Sequence, residues 1–484
     1  MLDLILQENG LDLKGLEKEI FRNVCSLGRD VMKKTFQECD IKLRDERDKS
    51  EYRHKGLKTT TIKTCMGEVT FKRALYKRVS NDGSTEHVFL LDEHFGFESS
   101  CIGLISGNLV EMMVEYVCVM SYKETAKKIS EYTGMSISPG AVWNIVQAAG
   151  ERVSKIEEEN INKYRSGETV GEKEVKVLFE EADGVMLSMQ GTDRKKAKKQ
   201  EIKVAIAYEG WEKVRKGRFV LHKKEVICAF ENITDFKERK DAKICSKYNI
   251  DEIGVRIFNS DGAEGLVNMH DGEDVIMQLD PFHVKKAIIR ATTDKGIQKH
   301  LKRLYEENKT DELLIKIDAY ANSIEDAKAE EKLRKLYDYL NSNKKNLTPY
   351  LSRGLKLPDL GGGLEYRGMG ACEHNVYLII AKRMKHFGAS WSRKGANNLG
   401  KLLALKVSNK LEETLNTISR IVLPVMVQEE VDCILSGSKA PESDGKGYVG
   451  KRSAIPFTDV KVTNGRKAIK NMFNIKSFAE MSYK

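Results

Sequence analysis

The sequence predicts an α/β protein with a central mixed β-sheet, helical segments before it and a helical insertion within it. Short apolar runs typical of strands lie between residues 174 and 283, helical periodicity dominates residues 101–173 and 284–365, and strict apolar–polar alternation occurs in 59–79. Apolar residues make up 40% of the 484-residue chain and charged residues 32%, with only 7 prolines. This composition is typical of a folded, helix-rich protein.

The first hundred residues are predicted to form a helical and β-hairpin domain. Apolar residues recur at helical spacing up to about residue 50, and the alternating segment 59–79 turns at Met66-Gly67. The second arm of the hairpin is basic, which is as typical of a solvated strand face as of a DNA contact. Its basic residues are Lys72, Arg73, Lys77 and Arg78.

Residues 101–150 predict a helix-turn-helix DNA-binding domain. The second of three helices stops near Gly134, and Ser138 followed by Pro139 is a strong start for the third. The residues expected on the exposed face of the third helix, where they could contact base edges, are Ser138, Asn144 and Gln147. An ordinary helical hairpin would have the same pattern. Residues 151–173 continue as a charged linker helix.

The block 174–283 predicts five strands and one helix, with the first strand interrupted near Asp183. Three antiparallel strands, a helix, a strand and a further strand leading into a helix is the order of an RNase-H-like fold. The predicted strands are 175–189, 202–209, 218–230, 254–259 and 274–279, and the helix is 235–247. An all-α insertion, 284–365, separates this first part of the core from a second part, 366–435, and a tail follows over 436–484.

Three acidic residues stand where a two-metal nuclease of this topology would need them. Asp183 lies in the first strand, Asp261 follows the fourth, and Glu373 opens the helix after the insertion. Carboxylates from separate elements can hold two Mg²⁺ ions, for which Mn²⁺ can substitute, and such a pair drives phosphodiester chemistry. Singly, an Asp-Gly turn or a Glu in the first turn of a helix is equally ordinary. Glu180 and Glu181 compete with Asp183 for the first position.

Asp280 and His283 form a fourth candidate feature, in the segment Asp280-Pro281-Phe282-His283. Asp followed by Pro is a good helix start. The two side chains could also face each other across the first helical turn and brace the site, or hold a scissile phosphate. The two interpretations are compatible.

A formal net charge of +10 suits a polyanionic partner. One basic cluster, expected at the tip of the loop between the first two core strands, comprises Arg194, Lys195, Lys196, Lys198 and Lys199. A second group follows the Glu373 helix and comprises Trp391, Arg393 and Lys394. Trp391 predicts either a base-stacking residue or a core residue beneath that helix.

The nine cysteines form no CxxC pair, so they predict reduced and mostly buried thiols and no zinc ribbon. No stretch approaches the ~18 apolar residues of a membrane span. Met1–Asn9 has no basic segment typical of a secretory signal. The expectation is therefore a cytoplasmic, nucleoid-associated protein that does not contact membranes.

The motifs resemble those of ISLre2-type transposases of bacterial insertion sequences, over most of the chain. The resemblance rests on the Gly67-Glu68-Val69 hairpin, the helix-turn-helix, Glu181–Gly184, Ser260–Gly262, Asp280–His283, Gly370–Val376 and Ser390–Ser392. That family is similar to the wider Mutator-like DDE transposases. It has two Asp, a (Cys/Asp)-x-x-His element, a helical insertion and a final Glu.

The resemblance implies that Asp183, Asp261 and Glu373 are the catalytic, metal-binding acids, with Asp280 and His283 as an accessory pair. The implied reaction is metal-dependent cleavage of DNA at terminal inverted repeats, followed by strand transfer into target DNA. Such an enzyme would act on DNA as a homodimer or higher oligomer. A nuclease or resolvase that cuts without joining strands, and an inactive DNA-binding regulator, are the alternatives.

Overall fold

The computed structural model of the protein describes residues 12–79, 83–95, 97, 104–169, 171–262, 275–385 and 388–418. The predicted tail, 436–484, and the end of the second core segment, 419–435, lie outside the described residues. The predicted mixed α/β architecture is confirmed, since a sheet of mixed strand orientation is surrounded by many helices.

The N-terminal part consists of a long helix packed on a three-stranded antiparallel sheet. Helix α1 (Leu13–Glu46) begins at Asp12, whose side chain accepts a hydrogen bond from the Gly15 amide. The sheet comprises β1 (Tyr52–Thr64), β2 (Gly67–Val79) and β3 (Thr85–Val88), and the short helix α2 (Leu90–Phe95) follows. The predicted hairpin is therefore confirmed but longer. Only β1 extends beyond the predicted residues, and alternation did not reveal its outer half because 53–58 contains Arg53, His54, Lys55 and Lys58.

Three helices follow, as predicted: α3 (Gly107–Val117), α4 (Tyr122–Thr133) and α5 (Pro139–Arg165). Helix α4 ends at Gly134, which has a left-handed φ of 72°, and the Ser138 side chain caps α5 by accepting from the Ala141 amide. Helix α5 runs without a break across residue 150, where the sequence predicts a change from binding domain to linker helix. At that point Gly150 lies against Asn398, and a Cβ there would come within 2.4 Å of the Asn398 Cβ.

The central sheet has five strands, and in space they lie in the order fifth, fourth, first, second and third of their sequence along the chain. Strands β4 (Val177–Ser188), β5 (Lys199–Tyr208) and β8 (Glu225–Ala229) are antiparallel neighbours, and the turn between β4 and β5 contains the short helix α6 (Gly191–Lys196). Strands β9 (Val255–Ser260) and β10 (Val275–Leu279) extend the sheet in parallel with β4.

The single strand predicted over 218–230 is wrong. The chain instead forms a separate hairpin of β6 (Trp211–Arg215) and β7 (Arg218–Leu221) before it enters β8. Lys223 adopts a left-handed φ of 51° between β7 and β8, which breaks the extended conformation. Helix α7 (Ile233–Cys245) then leads back to β9, close to the predicted bounds.

The predicted all-α segment contains four helices with a core of their own, built largely from leucine and isoleucine. They are α8 (Pro281–Ala291), α9 (Lys295–Glu306), α10 (Thr310–Ser323) and α11 (Ala327–Ser342). Beyond α11 the chain is tied to β10, the edge strand. The Tyr350 amide donates to the Gln278 side chain at 3.0 Å, and Arg353 donates to the Met277 carbonyl at 2.6 Å.

The last described helices return to the sheet. Helix α12 (Ala371–Val376) continues through a wide π-helical turn, Tyr377–Ala381, and ends at Met384. Helix α13 (Arg393–Val407) packs against α5, and α14 (Leu411–Ile418) follows. In the part of the chain that the structure describes, no helix is long and apolar enough to cross a membrane.

Candidate functional site

Three aspartates lie at one level of the central sheet because three parallel strands are in register. Ala182 on β4 pairs with Ser260 on β9, and Ser260 pairs with Leu279 on β10. The residues that follow these three are Asp183, Asp261 and Asp280. Since parallel strands run in the same direction, residues that follow a paired row lie at the same level of the sheet. The acidic cluster is thus a consequence of strand order and register.

The carboxyl groups of Asp183 and Glu373 both respond to neighbouring acids, and Asp280 acts on each of them. Burial raises the pKa of Asp183, and Asp261 and Asp280 raise it further, while His283 and the Gly184 amide act in the opposite direction. Burial also raises the pKa of Glu373, with Asp183 and Asp280 adding to the effect and Lys286 and His283 opposing it. The fold therefore concentrates negative charge in a partly buried place, which a cation would stabilise.

His283 is the basic member of the cluster. Its Nε2 lies 3.9 Å from Asp183 Oδ2, and both side chains are largely buried. It stands in the first turn of α8, whose N-cap is Asp280, and Asp280 Oδ1 accepts from the Phe282 amide at 2.8 Å. The helix-start interpretation of Asp280 is confirmed, and the same cap turns His283 towards the acids.

A buried glutamate that the sequence offers only as a competitor of Asp183 positions the helix that carries Glu373. Glu181 is 0% exposed, and its carboxylate accepts hydrogen bonds from three backbone amides at the start of α12. The donors are the amides of Gly370, Ala371 and Cys372, at 3.1, 3.2 and 3.0 Å. Tyr208 donates a further hydrogen bond at 2.6 Å. Glu181 thus caps the helix that carries Glu373, from the same face of β4 as Asp183.

Both glutamates that compete with Asp183 in the sequence are engaged elsewhere. Glu180 points to the opposite face of β4, where it forms ion pairs with Lys240 and Arg256, each at 2.7 Å. Glu181 caps helix α12. Period-two alternation along the strand could have shown that Glu181 lies on the same face of β4 as Asp183. Asn259 links Glu181 Oε2 to Asp280 Oδ2, at 3.0 and 3.1 Å.

The donor set suits a hard cation, since carboxylate oxygens are the ligands that Mg²⁺ prefers. The side chains do not form a finished coordination shell. Among the residues that the structure describes, no three His, Cys, Asp or Glu side chains are close enough together to hold one ion as they stand. Residues that could contribute ligands are Asp183, Asp261 and Glu373.

A basic cleft of about 470 Å³ opens beside the acids, between α8 and α11. Asp261 and His283 are among the residues that line it. Its cations are Lys286, Arg290, Lys332 and Lys335, and Ala287, Leu336 and Tyr339 supply much of its apolar surface. The sequence did not indicate these cations, because nothing in it shows which faces of α8 and α11 turn towards Asp261.

Comparison with known proteins places the chain in a family. A model described as an uncharacterised protein family, UPF0236, matches residues 6–418. The chain belongs to this family. A relative from Streptococcus gallolyticus, the UPF0236 protein in the vanSb 3′ region, is 27% identical over 395 residues, which are 79% of this chain and 81% of the relative. The region matched by the family model contains the whole acidic cluster and the basic cleft.

The helix-turn-helix residues of this UPF0236 protein are not all placed as predicted. Ser138 is exposed and caps α5, and Asn144 is half-buried. The exposed position predicted for Gln147 is wrong, since the residue is 5% exposed and its Oε1 accepts from Asn398 Nδ2 at 2.9 Å. Helix α13 covers this side of α5, so Gln147 cannot reach a DNA groove in this arrangement.

The base-stacking interpretation of Trp391 is also wrong. The indole is 8% exposed, and its Nε1 donates to the Met384 carbonyl at 2.8 Å, which ties α12 to the start of α13. Arg393 is exposed but braced, because Nη1 donates to the Gln200 side chain at 3.0 Å and Nη2 to the Phe230 carbonyl at 2.5 Å. Lys394 is exposed and pairs with Glu151 at 2.6 Å.

The basic loop of the UPF0236 chain lies where the sequence predicts, between β4 and β5. Arg194, Lys195 and Lys196 occupy the last turn of α6, and Lys198 and Lys199 follow. All five side chains are exposed. The loop therefore presents a concentrated positive charge to solvent at the end of the β4–β5 hairpin.

Proposed function

We propose that this UPF0236 protein is a DNA transposase related to the ISLre2-type enzymes, with a catalytic core of the RNase-H-like class. The observation that carries the proposal is the row of acids, Asp183, Asp261 and Asp280, beside Glu373 and a cation-lined cleft. The acids come from separate strands and a helix, and they lie next to a surface that can bind phosphates. Of the reactions this site could catalyse, such an arrangement fits nucleic-acid cleavage best.

The strand order supports the choice of core. Numbered in chain order, the five strands lie as 5-4-1-2-3, with the first three antiparallel and the last two parallel to the first. This order brings the first, fourth and fifth strands together, and it is on these strands that the aspartates lie. The helical block between β10 and α12 corresponds to the insertion that the resemblance implies.

In the proposed reaction, water attacks a phosphodiester at the element end and releases a 3′-OH. That hydroxyl then attacks a phosphodiester of the target, displacing the target's own 3′-oxygen. Mg²⁺ or Mn²⁺ held by Asp183, Asp261 and Glu373 would activate the attacking oxygen and stabilise the leaving one. Glu181 would keep Glu373 facing β4, and His283, which lines the cleft, can donate a hydrogen bond to a phosphate oxygen.

The DNA would reach the acids along the cleft between α8 and α11. Arg290 and Lys332 stand on opposite helices there, both exposed, so a strand lying between them meets positive charge from each side. The basic loop after β4 offers a second patch for the duplex. Such contacts bind phosphates without reading sequence, so end recognition would belong to another part of the chain, for which α4 and α5 are the candidates.

The test uses the full-length protein and duplex DNA carrying the repeats that flank its coding sequence. We expect nicking and strand transfer with Mg²⁺ or Mn²⁺ and none with EDTA. Asp183→Asn, Asp261→Asn and Glu373→Gln should each reduce cleavage by at least about 100-fold, since loss of a group that merely supports a metal ligand already costs 10–100-fold. The exposed Glu325→Gln serves as the matched control and should cleave normally.

Two outcomes would contradict the proposal. Metal-dependent cleavage without joined products would favour the nuclease or resolvase alternative. Tight, end-specific binding without cleavage in any divalent metal would favour a DNA-binding regulator. Gel electrophoresis of end-labelled substrates distinguishes nicked, joined and uncut strands in one experiment.

A further inference from the structure

Helix α1 has two apolar faces, and among the residues that the structure describes only one of these faces is packed. Phe36, Met32 and Leu43 bury one face against the three-stranded sheet. This 34-residue helix is about 50 Å long, so much of its surface lies beyond the reach of that sheet. The packed face explains how α1 is held on the sheet. It does not explain why the other face carries apolar side chains.

The second face carries large apolar side chains that are open to solvent. Ile20, Val24, Leu27 and Val31 are 47%, 60%, 58% and 56% exposed. Their separations of four, three and four residues match the spacing of a coiled-coil seam. Contiguous exposed apolar side chains are typical of interaction surfaces, whereas singly scattered ones are ordinary.

The charges that interrupt this seam indicate the partner and its direction. One heptad step before Val24 the seam position holds Glu17, and one step after Leu27 it holds Lys34, both exposed. In a parallel pair each would face its own copy, glutamate against glutamate and lysine against lysine. In an antiparallel pair centred between Val24 and Leu27, Glu17 faces Lys34 of the second copy. Between these charged positions, each of the four apolar residues faces an apolar residue of the second copy.

We propose that two copies of this chain associate through α1 as an antiparallel coiled coil spanning residues 17–34. Ile20 packs against Val31 of the second copy, Val24 packs against Leu27, and the Glu17–Lys34 pairs close both ends. The contact is isologous, so it forms a closed dimer and does not propagate. The inference rests on α1 alone and is independent of the proposed transposase activity.

The first test measures the mass of the full-length protein by light scattering or sedimentation over a range of concentrations. We expect a reversible dimer for the natural chain. Val24→Glu or Leu27→Glu should weaken it by about tenfold or more, since each buries an unpaired carboxylate at the seam. The matched control is Ile315→Glu on α10, at a position that is 66% exposed and should leave the dimer unchanged.

The second test exchanges the charges. Glu17→Lys and Lys34→Glu should each weaken the dimer, and the double variant should restore it, because opposite charges again meet. Exchanges without effect would overturn the antiparallel register. A monomer at every concentration would overturn the dimer itself, and if Val24→Glu then lowered the melting temperature, the face would be covered by another segment of its own chain.

Discussion

Glu181 and Cys372 lie 191 residues apart in the chain, yet the Glu181 carboxylate accepts a 3.0 Å hydrogen bond from the Cys372 backbone amide. With the Gly370 and Ala371 amides, this makes a β-strand carboxylate the cap of a distant helix. The adjoining Glu373 is therefore oriented by the strand that carries Asp183, so the two proposed metal ligands share one rigid support.

Replacing Glu181 with Gln should destabilise the protein and disturb the site together. The amide presents an NH₂ group where the carboxylate only accepts, so a buried donor of α12 or of Tyr208 loses its partner at a cost of about 1–3 kcal/mol. Chemical denaturation measures the loss. Tyr208→Phe removes a single donor and should cost less. Equal stability of Glu181→Gln and the natural protein would show that the cap does not hold α12.

The cleft cations should contribute to DNA affinity in a salt-dependent way. Arg290→Gln combined with Lys332→Gln removes two phosphate contacts, so the slope of log affinity against log salt should fall by about two units. Fluorescence anisotropy with labelled DNA and no divalent metal measures this without relying on cleavage. Lys213→Gln with Lys216→Gln, on the exposed β6–β7 hairpin, is the charge-matched control. Equal slopes in both variants would show that DNA does not contact the cations of the cleft.

Trp391 should matter for stability and not for base stacking. Trp391→Ala creates a cavity and frees the Met384 carbonyl, at a cost of about 3–5 kcal/mol of unfolding free energy. Trp143→Ala is the matched control, because that indole is 41% exposed and should cost far less. Once corrected for the folded fraction, DNA binding of Trp391→Ala should equal that of the natural chain. A stable variant with weakened binding would restore the stacking interpretation.

Acid should weaken the contact between β8 and its neighbours through Glu225. Burial opposes ionisation of this carboxyl, but hydrogen bonds from Lys410 and Lys247 outweigh burial and lower its pKa. The folded-state pKa lies below the unfolded value, about 4.3 for Glu. The ion pairs therefore stabilise the fold above that value and are lost as pH falls through the folded pKa.

Denaturation curves between neutral pH and pH 3 test this linkage. The natural protein should lose stability more steeply at the acid end than Glu225→Gln, which has no carboxyl to titrate there. Glu413→Gln, at an exposed position of α14, should follow the natural protein. Parallel curves for the natural protein and Glu225→Gln would remove Glu225 as a source of acid sensitivity.

Local signals in the sequence predicted local structure well. The start of α5 at Ser138 and Pro139 and the end of α4 at Gly134 follow from the conformations that these residues favour. The predicted strand order also places Asp183 and Asp261 on neighbouring strands. Both acids could be located in the sequence because each directly follows or interrupts a recognisable apolar run. Whether these acids bind metal stays a prediction.

Partners that are distant in the chain account for what the sequence did not predict. Gln147 has an outward-facing position by helical periodicity, but Asn398 of α13 covers it. Nothing in the sequence around Glu181 shows that the start of α12 packs over its carboxylate. The cations of the cleft, such as Lys332, lie on helix faces that look like any solvated polar face in the sequence. Only the packing of α11 beside Asp261 shows that Lys332 lies near the acids.

The ties between the helical block and β10 bear on any attempt to reduce the protein to a smaller catalytic core. Among the described strands, β10 lies at an edge of the sheet, and Tyr350 and Arg353 contact residues of that strand from beyond α11. Excising the block would expose unpaired backbone amides and carbonyls along β10. An exposed edge strand of this kind can pair with a strand of another molecule. A shortened chain should therefore precipitate or form fibres, even if every acid of the cluster were kept.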